Sequence, residues 1–169
     1  MKKKCQRLAV LLLFAVGVLV ALPTPVNAAT TQISGDAFYD TAGAVCGPPP
    51  PGYADFTSVA PLVLSGSLAG CWYTKAETSK QTTSGVYLES GEEVFVGTLN
   101  GGPAGMFATT YRFESKWDPN VTTGIEISGR CQHAIVAGSG TGGFTGATGW
   151  VFFKDYAPQY FYRGHISLG

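Results

Sequence analysis

The sequence GMFATTYRFESKW, residues 105–117, alternates between apolar and polar side chains. Its odd positions include Phe107, Tyr111 and Phe113, while the even positions toward its end carry three charged side chains. Side chains of a β-strand point alternately to opposite faces of the sheet, so this pattern indicates a strand with one dry face and one wet face. We therefore expect Phe107, Tyr111 and Phe113 to point into a hydrophobic interior.

The segments on both sides of this strand have the same character. An Asn-Gly-Gly-Pro turn at residues 100–103 precedes it, and Asp-Pro-Asn at residues 118–120 ends it. No segment after residue 28 has the apolar spacing of a helix. Seven or eight strands are predicted, in residues 33–39, 62–74, 85–88, 93–99, 105–117, 125–135, 150–154 and 159–168.

The glycine-rich run GSGTGGFTGATG, residues 138–149, indicates how these strands are arranged. It contains the G-x-G-x-x-G spacing of dinucleotide sites, but no helix follows it to bind a pyrophosphate, so no cofactor is predicted. Glycines also interrupt several strands, as is typical of strands that coil sharply. The predicted fold class is all-β, an antiparallel closed β-barrel of about eight strands, because closure also removes exposed sheet edges.

Several short motifs, in this order, carry a resemblance to a known family: Gly85-Val-Tyr, Glu93-x-Phe95-x-Gly97-Thr-Leu, Gly105-x-Phe107 and the glycine-rich run. They resemble the DUF3224-type bacterial secreted proteins, whose barrel is similar to that of plant allene oxide cyclases and dirigent proteins. The resemblance implies an eight-stranded, calycin-like barrel with a central cavity, which the plant relatives use to bind and shape small hydrophobic molecules. It implies no activity for this chain, and no catalytic residue is carried over.

The N-terminal residues are typical of a bacterial signal peptide. A basic start is followed by the uncharged apolar residues 8–22 and by the small residues that a signal peptidase requires, so cleavage is expected before Ala29. The predicted organisation is a signal peptide at residues 1–28, an N-terminal strand and proline-rich connector at 29–61, and the barrel body at 62–169. We expect a secreted protein, extracellular or at the exterior of the cell envelope.

Charge and composition exclude several classes of partner. Residues 29–169 contain seven basic and eleven acidic side chains, a net charge of −4, which gives no electrostatic case for binding nucleic acid. No second apolar segment is long enough to cross a bilayer, so no membrane contact is expected after cleavage. Cys131 and His133 share a strand face, but two ligands are too few for zinc, and no metal site is predicted.

Three cysteines follow residue 28, and an oxidising compartment allows disulfides to form. Cys71 and Cys131 both lie in predicted strands, where a bridge across the barrel is geometrically feasible, and we predict this pairing. Cys46 lies in a loop before four prolines, and a bond from it to either of the other two stays open.

The alternation also places two titratable side chains inside the barrel. His133 shares a face with Ile125, Ile127 and Ile135, while Glu93 shares a face with Phe95 and Leu99. Buried charges are costly unless they are paired or wet, so these two groups either neutralise each other in a filled barrel or line a solvated cavity with a general acid or base. The candidate lumen residues are Glu93, Phe107, Tyr111, Phe113 and His133.

The function that this pattern favours is binding of a small, mostly apolar molecule in the barrel lumen. One alternative is a cyclase- or isomerase-like enzyme that uses the same cavity. Another is a structural or interaction protein of the cell exterior with a filled barrel. The volume of the lumen distinguishes these hypotheses, and the sequence leaves open the ligand and any reaction. The oligomeric state is also open, and a homo-oligomer is compatible with the resemblance, since relatives of this barrel often assemble.

Overall fold

A computed structural model of the chain describes residues 29–156 and 159–169. The predicted signal peptide, residues 1–28, lies outside the described residues. Within the described part no helix is long and apolar enough to cross a membrane. The strands are β1 (Thr30–Tyr39), β2 (Leu62–Gly66), β3 (Leu68–Gln81), β4 (Val86–Leu99), β5 (Gly105–Asp118), β6 (Ile125–Ile135), β7 (Thr141–Gly142), β8 (Thr148–Tyr156) and β9 (Gln159–Ser167).

Eight of these strands form a closed antiparallel barrel, which confirms the predicted fold class. The hydrogen-bonded order is β4-β3-β2-β1-β9-β8-β6-β5, and pairing of β4 with β5 closes the ring. The two-residue strand β7 adds to the start of β5 and is not part of the ring. Every sheet edge of the eight main strands is therefore paired over part of its length.

Close approach between β3 and β4 depends on a pair of glycines. Gly70 lies opposite Gly97 in the register, and Gly70 has a φ of 156°. A Cβ atom on Gly70 would collide with the backbone carbonyl of Val96, and one on Gly97 would collide with that of Ala69. The strands can coil this tightly here because neither residue has a side chain.

One end of the barrel is filled by aromatic side chains. Trp72, Phe95 and Phe107 pack there with ring centroids 5.3–5.8 Å apart. Phe144, from the glycine-rich run, lies over them with its centroid 5.0 Å from that of Phe107 and no exposed surface. The glycine-rich run is therefore a loop that folds over the barrel end and closes it. This end is referred to below as the closed end.

The start of β6 departs from the predicted alternation. Ile125 and Ile127 are 75% and 53% exposed, although the sequence pattern placed them inside with His133. The register between β5 and β6 shifts at Lys116 and Trp117, so one β6 residue has no partner and the alternation reverses. The same reversal turns Glu126 toward the interior, and its Oε1 atom is buried.

A second apolar cluster lies outside the barrel wall and explains the disulfide. Residues 40–61 cross the outer face of β3 and β4, where Phe56 packs with Tyr73 and Val94. Cys46, in this segment, is bonded to Cys71 with a Cα–Cα distance of 5.8 Å. Disulfides of this kind persist in oxidising compartments outside the cytoplasm.

The predicted Cys71–Cys131 pairing is wrong. Cys71 precedes the inward-pointing Trp72 and therefore faces the outer cluster. Cys131 is a buried free thiol that faces the lumen. The two sulfur atoms lie on opposite sides of the barrel wall, so no bond between them can form.

Candidate functional site

The barrel lumen is empty at the end opposite Phe144. A cavity of about 260 Å³ opens there, between the ends of the eight strands. Four of the five candidate residues line it, namely Glu93, Tyr111, Phe113 and His133. Phe107 also points inward, as expected, but it lies in the closed end among Trp72, Phe95 and Phe144.

Glu93 and His133 form a buried pair at the inner wall of the cavity. Nε2 of His133 lies 2.7 Å from Oε2 of Glu93, and both side chains are at most 6% exposed. The Thr74 hydroxyl donates a hydrogen bond of 2.8 Å to Oε1 of Glu93. The pair therefore joins β3, β4 and β6 across the lumen.

The second ring nitrogen of His133 determines how many protons the pair holds. Nδ1 lies 3.1 Å from the carbonyl oxygen of Val151, and because a carbonyl only accepts, Nδ1 carries a proton. A single further proton then lies between Nε2 and Glu93. It makes either an imidazolium facing a carboxylate or a neutral imidazole facing a carboxylic acid, and the pair has no net charge in both arrangements.

Aromatic rings fix the orientation of the His133 imidazole. Its centroid lies 5.1 Å from Trp72 and 4.9 Å from Phe153, both edge-to-face, and 6.1 Å from Tyr111 in a stacked arrangement. Such contacts hold the ring while the hydrogen bonds select its protonated nitrogen. The imidazole is consequently a fixed part of the cavity wall.

Glu89 provides a second carboxylate closer to the open end. It accepts a hydrogen bond of 2.7 Å from the Tyr111 hydroxyl and one of 2.6 Å from the Tyr87 hydroxyl. Burial, together with the hydrogen bond and the negative charge of Glu89, raises the pKa of Tyr111 far above its usual range. Tyr111 therefore stays protonated and acts as a donor to Glu89.

Asp155 and Glu126 form an acidic pair at the open end that the sequence analysis missed. Asp155 faces Gly129 across β8 and β6, and both carboxylates converge on the place where Gly129 lacks a side chain. Burial raises the pKa of Asp155 to about 6, although the charge of His133 acts in the opposite direction. Burial and the charge of Asp155 raise the pKa of Glu126 to about 7.

One of these two residues could have been found from the sequence. Asp155 is in phase with the inward-pointing Val151 and Phe153, so simple alternation along β8 places it inside. Glu126 is out of phase with Cys131 and His133, and only the register shift in β6 turns it inward. No feature of the sequence predicts that register shift.

The cavity offers no evident ligand set for a metal ion. Within the described residues no three His, Cys, Asp or Glu side chains are grouped so that they could bind one. Cys131 also lines the cavity, and burial raises the pKa of its thiol, so it is neutral at physiological pH. The arrangement instead provides hydrogen-bond acceptors, carboxylates and one shared proton beside aromatic rings.

Comparisons with known proteins return no relative of this chain. No known protein family, no curated protein and no solved structure matches it. The closed eight-stranded barrel agrees with the architecture that the resemblance to DUF3224-type and allene oxide cyclase-like proteins implied. Membership of that family stays a prediction.

Proposed function

We propose that the open end of the lumen binds a small molecule with an apolar body and a polar end. The observation that carries the proposal is the divided interior, in which side chains fill one half of the barrel and leave a cavity in the other. Ligand sites are typically concave, mostly apolar and equipped with a few convergent polar groups. We further propose that the protein is secreted and performs this role outside the cytoplasm.

The walls of the cavity suit an aromatic or aliphatic body. Leu62, Phe113 and Phe153 supply apolar surface, and several tyrosines surround them. The volume of about 260 Å³ is slightly smaller than the range of about 300–1,000 Å³ that is typical of small-molecule sites. A compact ligand with one ring or a short chain fits this space better than an extended one.

A groove on the outer face is a weaker candidate for the same role. It runs along β3 to β6 beside Arg112, Glu114 and Arg130, all of which are exposed. Glu114 and Arg130 form an ion pair of 3.0 Å in solvent there, and such pairs contribute little. Side chains from all eight main strands line the lumen cavity, so the barrel wall surrounds a ligand there, whereas the groove lies on the outer face.

Binding is tested by titration calorimetry of the oxidised protein with a neutral one-ring probe, benzyl alcohol. We expect a saturable heat of binding, together with slower alkylation of Cys131, which peptide mass spectrometry locates. Phe113→Ala removes a cavity wall and is expected to weaken probe binding several-fold, since aromatic contacts contribute about 0.5–1.5 kcal/mol beyond burial.

Phe152→Ala is the matched control, because Phe152 is similarly half-buried but lies on the outer face beside Trp150. It is expected to leave probe binding unchanged. Absence of saturable binding, with Cys131 alkylated at the same rate with and without probe, would show that the lumen is not a binding site.

Acid–base catalysis of an isomerisation or cyclisation is a second candidate, favoured by the shared proton of Glu93 and His133 beside the cavity. Its test is hydrogen exchange in D₂O at the carbon next to the carbonyl of phenylacetone, followed by proton NMR. We expect protein-dependent exchange that Glu93→Gln abolishes. Exchange at the uncatalysed rate in the wild type would contradict this second function.

A further inference from the structure

Apart from His133, which is paired with Glu93, the ionisable side chains that carry charge around the cavity are acidic. Glu89, Glu93 and Asp155 line it, Glu126 lies beside Asp155, and no lysine or arginine among the described residues is part of the lining. Glu93 is neutralised by His133, and Glu89 accepts hydrogen bonds from two tyrosines. An anionic ligand would meet uncompensated negative charge here, so the electrostatics favour a cation.

No partner side chain stabilises the buried Asp155 carboxylate in the described part of the chain. It is 9% exposed and points into the cavity from β8. No hydrogen bond or ion pair joins its carboxylate to another residue in the described part of the chain. A buried carboxylate without a partner is costly, and a bound cation would offset that cost.

Aromatic rings stand around this carboxylate. Tyr160 is the register neighbour of Asp155 on β9, and its ring packs edge-to-face on Tyr39 with a centroid distance of 5.3 Å. Phe153 and Phe113 complete the apolar wall. The faces of aromatic rings attract organic cations, most strongly where water is excluded.

From this geometry we infer that the cavity is a site for an organic ammonium ion, with its nitrogen at Asp155 and its apolar body among the aromatic rings. The inference rests on the proposed function and narrows its ligand class. A neutral molecule of the same shape could donate a hydrogen bond to Asp155, but it would leave the negative charge of the carboxylate unbalanced. A bare metal ion would find no group of three ligands among the described residues.

Affinity for the ammonium ion should depend on pH, because the carboxylates must be ionised to attract it. With pKa values of about 6 for Asp155 and about 7 for Glu126, affinity rises as the pH increases from 5 to 8. The titratable groups that face Asp155 from the neighbouring strands are Tyr39, Glu89, Glu93, Tyr111, Glu126, Cys131, His133 and Tyr160. Binding of the cation lowers both carboxyl pKa values and releases protons.

The test compares three ligands that share one aromatic body, namely 2-phenylethylammonium, 2-phenylethanol and phenylacetate. Each is titrated calorimetrically into the oxidised wild-type protein at pH 8 and pH 5. We expect the ammonium ion to bind about tenfold more tightly than the alcohol at pH 8, and phenylacetate to bind more weakly than both. The preference for the ammonium ion should shrink at pH 5, while binding of the alcohol stays constant.

Asp155→Asn keeps the size of the side chain and removes its charge, so it is expected to abolish the preference for the ammonium ion. Asp36→Asn is the control, because it changes the net charge equally at an exposed position on β1. If Asp155→Asn does not fold, Glu126→Gln and the wild-type pH series provide the same comparison.

Equal affinity for the ammonium ion and the alcohol at pH 8 would overturn the inference while the proposed binding function stands. If neither these compounds nor benzyl alcohol binds, the proposed function fails and this inference fails with it. A preference that survives in Asp155→Asn would also overturn it, because the charge would then be recognised elsewhere.

Discussion

Substitution of Glu93 tests the buried pair, because two replacements at this position should have very different costs. Glu93→Ala removes the partner of a His133 imidazole that is 3% exposed, and it also leaves the Thr74 hydroxyl without an acceptor. Removing one member of a buried, hydrogen-bonded pair costs about 3–5 kcal/mol of unfolding free energy. We expect a loss in that range.

Glu93→Gln should cost much less. The amide oxygen can occupy the position that accepts from Thr74, and the amide nitrogen can donate to Nε2 of His133, which lies 2.7 Å away. This arrangement needs a neutral imidazole, which the Nδ1 contact with the Val151 carbonyl permits. The hydrogen bond from Thr74 and the close contact with His133 are both kept, so we expect a loss of about 1 kcal/mol or less.

The assay is urea unfolding of the oxidised protein at pH 7, followed by circular dichroism. Glu114→Ala is the matched control, since Glu114 pairs with Arg130 in solvent and should cost less than about 1 kcal/mol. Equal losses for Glu93→Ala and Glu93→Gln would refute the reasoning, because they would show that the hydrogen bonds of the pair contribute nothing to stability.

The remaining predictions concern the disulfide, the closed end and the acidic pair. Peptide mapping of non-reduced protein should recover Cys46 linked to Cys71, and a free Cys46 in oxidised protein would contradict this pairing. The double variant Cys46→Ala/Cys71→Ala should lower the unfolding free energy by about 3 kcal/mol, because the bond closes a 25-residue separation. Phe144→Ala should lower the unfolding free energy, measured with urea, by about 3–5 kcal/mol, because Phe144 is fully buried. The control Phe161→Ala, at an exposed position, should lower it by less than about 1 kcal/mol. Similar losses would show that Phe144 does not seal the barrel. Burial raises the pKa of Asp155 from 3.8 to about 6 in the folded protein, so its ionisation costs stability as the pH rises through that range. Asp155→Asn should therefore be about 3 kcal/mol more stable than wild type at pH 8. A destabilised Asp155→Asn at pH 8 would mean that the carboxylate has a stabilising partner in the free protein.

Period-two alternation predicted the strands and most of the interior, while the glycines within the strands indicated that the sheet closes into a barrel. Phe107, Tyr111, Glu93 and His133 all point inward, as the pattern along β4, β5 and β6 indicated. Alternation succeeds here because the inward side chains of every strand of a closed barrel share one dry interior, while most outward side chains face solvent. Alternation indicates only whether a side chain points inward or outward. It could not show that Phe107 lies in the filled half of the barrel while Phe113 lies beside the cavity.

The register shift in β6 and the disulfide depend on contacts between segments, so the residue pattern of one strand could not predict them. The register shift in β6 turned Ile125 and Ile127 outward and Glu126 inward, since one unpaired residue reverses every side chain that precedes it. The disulfide depended on the outer cluster, where Phe56 brings residues 40–61 onto the outside of β3. The sequence shows that Cys46 follows a strand and precedes four prolines, but not which side of the wall its segment covers.

The most direct test of the binding site is a crystal structure of the oxidised protein with bound 4-bromophenylethylammonium, in which anomalous scattering locates the bromine. We expect one bromine peak inside the open end of the lumen, among Phe113, Phe153 and Tyr160, with the ammonium nitrogen at Asp155. Bromine found only on the outer face, with side chains filling the lumen at both ends, would contradict the account.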